Sequence, residues 1–129
     1  MQLKKILVMG DEEDSLTYFS AFFANEGFFV ISASNKENVV QKVLSEKPDI
    51  ITLDISRSQK FGLKALREIQ NSKGTCKIPV IITTAAAPDF KRLIGDRKQL
   101  HMPEGFFGEP IDRDLLLNKV RELLQLNAT

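Results

Sequence analysis

The sequence predicts an α/β protein, a doubly wound five-stranded parallel sheet with five helices, forming one domain over residues 1–129. Three observations carry that prediction. Five short runs rich in β-branched residues alternate along the chain with five segments whose apolar residues recur at helical spacing. The runs are apolar throughout instead of alternating with polar residues, which marks strands covered by helices on both faces. The connections are short, with no linker, internal repeat or low-complexity tract, so right-handed crossovers can join neighbouring parallel strands.

The first strand is residues 3–9, ended by the acidic loop Gly10-Asp11-Glu12-Glu13-Asp14-Ser15, in which Asp14 or Ser15 can cap the first helix. Leu16, Phe19, Phe22 and Phe23 form that helix's apolar stripe, and Asn25-Glu26-Gly27 closes it. Residues 28–33 make the second strand. Ser34 or Asn35 then opens a second helix with Val39, Val40, Val43 and Leu44 on one face, stopped at Pro48. The third strand, Ile50-Ile51-Thr52-Leu53-Asp54-Ile55-Ser56, is the most apolar and stops on a single carboxylate. Residues 61–70 supply Leu63, Leu66 and Ile69 for a third helix. The fourth strand, 78–84, is entered through Pro79, which a strand tolerates among its first residues. A fourth helix follows with Phe90, Leu93, Ile94 and Arg97, weakened by Gly95 and ended by Pro103. Gly105-Phe106-Phe107-Gly108 is a short fifth strand. Pro110-Ile111-Asp112 starts the last helix, whose buried stripe is Leu115, Leu116, Val120, Leu123 and Leu124.

Composition narrows the function. The chain is 43% hydrophobic and 27% charged with a formal net charge of +1, which gives no basis for binding nucleic acid or an acidic membrane through bulk charge. Cys76 stands alone, so no intrachain disulfide forms and a reducing compartment fits. No apolar run reaches membrane-spanning length, and the apolar segment after Lys4-Lys5 is too short for a signal peptide; the expected location is the cytoplasm. His101 has no ligand partner at metal spacing, and the basic residues Lys91, Arg92, Arg97 and Lys98 read first as a solvated face of the fourth helix.

Ligands of open parallel sheets bind beyond the carboxyl ends of the strands. The first, third, fourth and fifth strands end at Asp11, Asp54, Thr84 and Glu109. In a flavodoxin-like strand order, 2-1-3-4-5, the tips carrying Asp11, Asp54 and Thr84 lie side by side. Two neighbouring carboxylates repel, and a hard divalent cation with oxygen ligands, most simply Mg²⁺, lets both stay ionised. A hydroxyl one strand over can hydrogen-bond an anionic group held by that metal. The set suits phosphoryl transfer onto a carboxylate, where positioning and charge neutralisation supply most of the catalysis.

The sequence resembles the receiver domains of two-component response regulators. Ile6-Leu7-Val8-Met9-Gly10-Asp11-Glu12 is similar to that family's first strand and acidic loop, and Pro48-Asp49-Ile50-Ile51-Thr52-Leu53-Asp54-Ile55 to its phosphoacceptor strand. Gly62-Leu63 falls where the family opens its third helix; Ile78-Pro79-Val80-Ile81-Ile82-Thr83-Thr84-Ala85 resembles the switch strand; Phe106 followed by Glu109-Pro110 sits on the fifth-strand motif. The resemblance implies that Asp54 accepts a phosphoryl group from a histidine kinase or phosphotransfer protein. It makes Asp11, Asp54 and the backbone carbonyl of Ser56 metal ligands, Thr84 the switching hydroxyl and Phe106 the aromatic side chain that reports the switch. It implies at most self-phosphorylation and self-dephosphorylation, and a downstream protein partner on the fourth-helix to fifth-helix face, with no direct nucleic-acid or membrane role. With no output domain after Thr129, the domain acts alone or belongs to a longer chain.

The sequence departs from the family pattern in three respects. Gly10 stands where one of two adjacent acids is usual, leaving Glu12 as the remaining outer acid; Ser58 and Phe61 replace a proline and an acid after the phosphoacceptor; and Glu109 replaces the lysine that pairs with the phosphoryl group. Exchanging a cation for an anion moves the local charge by two units, each worth roughly 4 kcal/mol at about 4 Å and an effective dielectric near 20, before discounting for solvent. Glu109 then either turns out toward Arg57 or Lys91, joins Asp11 and Asp54 in a more acidic pocket, or marks a domain that signals without phosphorylation. The sequence expectation is that Mg²⁺ binding survives and stable phosphorylation is impaired; the alternative is a phosphorylation-independent interaction module. A phosphatase with an aspartyl intermediate would want an acid at Ser56, two residues after the nucleophile.

Overall fold

Alternating side-chain direction in five apolar strands builds this molecule as three layers. The computed structural model describes residues 3–34, 37–55, 60–85, 87–95 and 100–125. In chain order the elements are β1 (Lys5–Gly10), α1 (Glu13–Asn25), β2 (Phe29–Ser34), α2 (Val39–Glu46), β3 (Ile50–Ile55), α3 (Lys60–Asn71), β4 (Val80–Thr84), α4 (Ala87–Gly95), β5 (Gly105–Gly108) and α5 (Arg113–Leu123). All strand pairs are parallel, in the order β2-β1-β3-β4-β5, the flavodoxin-like arrangement.

Successive strand residues feed opposite cores. Leu7, Met9, Ile51, Leu53, Ile55, Val80 and Ile82 pack with Val39, Val43, Ala65, Leu66, Ile69 and Ile94 under α2, α3 and α4. Ile6, Val8, Ile50 and Ile81 pack with Phe19, Phe23, Leu116, Leu117 and Val120 under α1 and α5. Each of the buried Val, Leu, Ile, Phe and Met side chains contributes roughly 1.5–3 kcal/mol by leaving water. The register matters most in one row across the sheet: Gly10 pairs with Asp54, Asp54 with Thr83, and Thr83 with Phe107. The adjoining row runs Ile55, Thr84, Gly108.

Close approach and capping set the helices. A Cβ built on Gly62 would lie 2.6 Å from two atoms of Ile55, so only glycine lets α3 settle at this depth on β3. Gly27, at φ 95°, turns the chain out of α1 so that Phe28 can return against Phe23. Asp112 caps α5 as the sequence indicates, accepting from the Asp114 and Leu115 amides. Two other caps differ. The N-cap of α1 is Glu12, with no side-chain cap bond, because Asp14 and Ser15 fall inside the first turn. The cap of α2 is Asn38, accepting from Gln41, while Ser34 ends β2 and Asn35 lies outside the described residues. Leu44 and Leu115, expected in buried stripes, are 46% and 57% exposed, and Leu117 is buried instead of Leu115. Among the described residues no helix is long and apolar enough to cross a membrane.

Candidate functional site

The site grows from the one incompletely buried residue of β3. Asp54 interrupts a strand that is otherwise fully buried, and alternation turns it to the α1/α5 side with Thr52 and Ile50. Parallel pairing sets Thr83 of β4 beside it in register, and the Thr83 hydroxyl donates to Asp54 Oδ1 at 2.7 Å. A second hydroxyl, that of Ser15 in the first turn of α1, lines the same cleft and lowers the cost of charge on the Asp54 carboxylate. Asp11 follows directly on β1, whose last residue, Gly10, pairs with Asp54; it is half-buried, with Oδ1 shut off from solvent. The expected meeting of Asp11 and Asp54 at neighbouring strand tips is therefore met by the register.

The electrostatics are those of an acid among acids. Burial pushes the Asp54 carboxyl above the ordinary carboxylate range; the Thr83 and Ser15 hydroxyls pull it back, and the charges of Glu109 and Asp11 push it up again, with a net upward result. Among the described residues no lysine or arginine is paired with Asp54 or Glu109; the ion pairs lie elsewhere, as in Lys42 with Glu37 and Glu46. Asp54 opens into a cleft of about 350 Å³ walled by Asp14, Ser15, Tyr18 and Phe19 of α1 and by Glu109, Pro110 and Ile111 after β5. A half-buried carboxylate held by the Thr83 hydroxyl faces an open cleft wide enough for a phosphoryl group.

The remaining sequence-predicted residues divide by face. Glu109 reaches the cleft wall, and its amide donates to the Thr84 carbonyl at 3.0 Å. Glu12 is exposed at the α1 N-cap, and Asp14, considered from the sequence only as a helix cap, lines the cleft. Thr84 is buried at the end of β4, one residue past Thr83 and so on the α3/α4 side. Phe106 lies on that same side, opposite Ile82, with Lys91 Nζ 5.2 Å from its ring centroid. Lys91 is thus engaged with Phe106. Ser56 and Arg57 lie outside the described residues.

A divalent cation suits this donor set: two carboxylates from adjacent strand tips, one of them costly to ionise because it is buried among acids, with a buried oxygen on Asp11. Among the described residues no three Asp, Glu, His or Cys side chains converge as a ligand group. Thr83 and Ser15 are the residues that sequence reasoning missed. In a strand buried on both faces, neither the apolar run nor the neighbouring threonines indicate which hydroxyl faces Asp54; the inter-strand register decides it.

Comparison with known proteins agrees with this geometry. Residues 6–121 match the response regulator receiver domain family. The alkaline phosphatase synthesis transcriptional regulatory protein PhoP of Bacillus subtilis is 33% identical over 92 residues, 71% of this chain and 38% of PhoP, so the chain spans little more than a third of that relative. Protein PilH of Pseudomonas aeruginosa is 26% identical over 122 residues, 95% of this chain and 98% of PilH. Among solved structures, the receiver domain of a Pseudomonas aeruginosa sensor histidine kinase, with a magnesium ion coordinated in its active site cleft, superposes with a TM-score of 0.79 at 22% identity, covering 96% of this chain and 99% of that one.

Proposed function

Since this chain belongs to the response regulator receiver family, we propose that its single domain, residues 1–129, accepts a phosphoryl group on Asp54 from a histidine kinase or phosphotransfer protein in the cytoplasm. One observation carries the reading: Asp54 combines a carboxylate open to a cleft with an acid, Asp11, on the neighbouring strand tip. A carboxylate oxygen of Asp54 attacks the phosphorus of a phosphohistidine. The P–N bond breaks, its electron pair stays on the ring nitrogen, and that nitrogen takes up a proton. Asp11, Asp54 and, as the resemblance implies, the backbone carbonyl of Ser56 would hold Mg²⁺, which would supply charge neutralisation for the transferred group.

Glu109 sets the balance of this site. With an anion on the cleft wall where the family carries a lysine, the phosphoryl dianion on Asp54 has no pairing cation from β5, so the phosphorylated state is short-lived while the cation site persists. Thr84 and Phe106 share the α3/α4 side, and Phe106 meets Lys91 of α4; this supports a switch that turns Asp54 chemistry into a change on the α4 to α5 face, read by a downstream protein.

Two measurements test the proposal: calorimetric Mg²⁺ titration, and mass-spectrometric mapping of phosphate after incubation with acetyl phosphate and Mg²⁺. Mg²⁺-dependent label on Asp54, lost in Asp54→Asn, is expected. A protein that binds no Mg²⁺ and takes no label at Asp54 would overturn it.

A further inference from the structure

Asp54 is served by a hydroxyl that the receiver resemblance does not assign. Thr83 is 2% exposed, lies near the end of β4 beside the central strand β3, and is fixed opposite Asp54 by register, with its hydroxyl 2.7 Å from Oδ1. Its β-branched side chain has little rotamer freedom, so the donor is preorganised toward that oxygen. Thr84, the expected switch hydroxyl, sits on the other side of the sheet. The tandem threonines therefore serve different faces, and Thr83 faces the reacting carboxylate.

We propose that Thr83 shortens the life of the phosphorylated state by donating to the carboxylate oxygen that regains charge as the phosphoryl group leaves. The inference rests on Asp54 being the acceptor. With Oδ1 engaged by Thr83, the phosphoryl group sits on Oδ2, and Oδ1 becomes the carbonyl oxygen of a mixed anhydride, a weak acceptor. In hydrolysis a water oxygen forms a bond to phosphorus, the bond from phosphorus to Oδ2 breaks, and its electron pair returns to the carboxylate. The water's proton goes to solvent, and inorganic phosphate departs. As that bond breaks, charge spreads over both oxygens, and the Thr83 bond changes from one to a neutral acceptor into one to an anionic acceptor, which is roughly twice as strong. An interaction that strengthens toward the transition state accelerates the step.

Removing a donor to a fully developed oxyanion costs about 10²–10³ in rate. Here about half a charge falls on Oδ1, so about a tenfold effect is expected, the equivalent of about 1.4 kcal/mol. The experiment labels the full chain with acetyl phosphate and Mg²⁺, removes the donor by rapid desalting, and follows phosphoprotein decay by intact mass. Thr83→Val keeps the branched shape without the donor; Thr83→Ser restores it. The proposal predicts a phosphoprotein half-life about tenfold longer in Thr83→Val, with a higher steady-state labelled fraction, and near wild-type decay in Thr83→Ser. Equal half-lives in wild type and Thr83→Val, or a Val effect that Ser does not reverse, overturn the role of Thr83 while leaving Asp54 as acceptor. No label on wild type or variants overturns both together.

Discussion

Replacing Asp54 with asparagine should make the domain more stable at neutral pH when a chelator is present. The Asp54 carboxyl is half-buried, carries the repulsion of Glu109 and Asp11, and has its proton affinity raised in the folded protein. The folded state therefore holds the Asp54 proton to higher pH than the unfolded chain does. Stability from this group is complete below the ordinary carboxylate range and declines as pH rises through the raised value, so at neutral pH the ionised carboxylate is a net cost. Asparagine keeps an oxygen to accept from Thr83 and removes the charge. After discounting for solvent screening at a cleft open to water, the gain is on the order of 1 kcal/mol, which for a domain of this size moves Tm by a few degrees. Thermal unfolding followed by circular dichroism in EDTA, at neutral pH and again near pH 3, measures it. The variant should melt higher at neutral pH, and the difference should vanish in acid, where both side chains are neutral. Adding Mg²⁺ should raise the wild-type Tm more than the variant's. A variant less stable than wild type at neutral pH in EDTA would refute the picture of Asp54 as a carboxylate held against repulsion.

Three other substitutions test the packing and the cation site. A Cβ on Gly10 would meet Asp54 and Leu16 at 3.4–3.5 Å, ordinary contact distance, so Gly10→Asp should fold and tighten Mg²⁺ binding roughly tenfold by calorimetry, about 1.4 kcal/mol. Asp112→Ala removes the acceptor for two amides at the start of α5 and should cost about 1 kcal/mol in urea unfolding. Gly62→Val would drive a side chain into Ile55 and should cost about 1–3 kcal/mol, with α3 displaced from β3.

The fold was legible because burial on both faces leaves a plain signature: apolar β-branched runs such as residues 50–53 and 80–82, separated by amphipathic segments that end in Gly27 or before Pro48. Asp11 and Asp54 could be brought together from topology alone, since parallel strands put all their carboxyl ends on one edge. What escaped is what depends on register and on competition between neighbours. Thr83 and Thr84 read alike in sequence, and only pairing with Asp54 and Ile55 separates them. Asn38, three residues beyond Asn35, won the α2 cap because its side chain meets the Gln41 amide. Leu115 fits the helical period of α5 but lies at the border of its apolar stripe, and Leu117 takes the buried place. Ser15 is an ordinary first-turn residue until the fold sets it beside Asp54.

The central claim is that Asp54 takes a phosphoryl group at a site whose cleft wall carries the wrong charge to retain it. The most direct measurement is the steady-state occupancy of phosphate at Asp54, mapped by peptide mass spectrometry in acetyl phosphate and Mg²⁺, for wild type and Glu109→Lys. The account predicts label on Asp54 in both, sparse in wild type and several-fold higher in the lysine variant. Rapid stoichiometric labelling of wild type with no gain in Glu109→Lys, or label mapped to any residue other than Asp54, would contradict it.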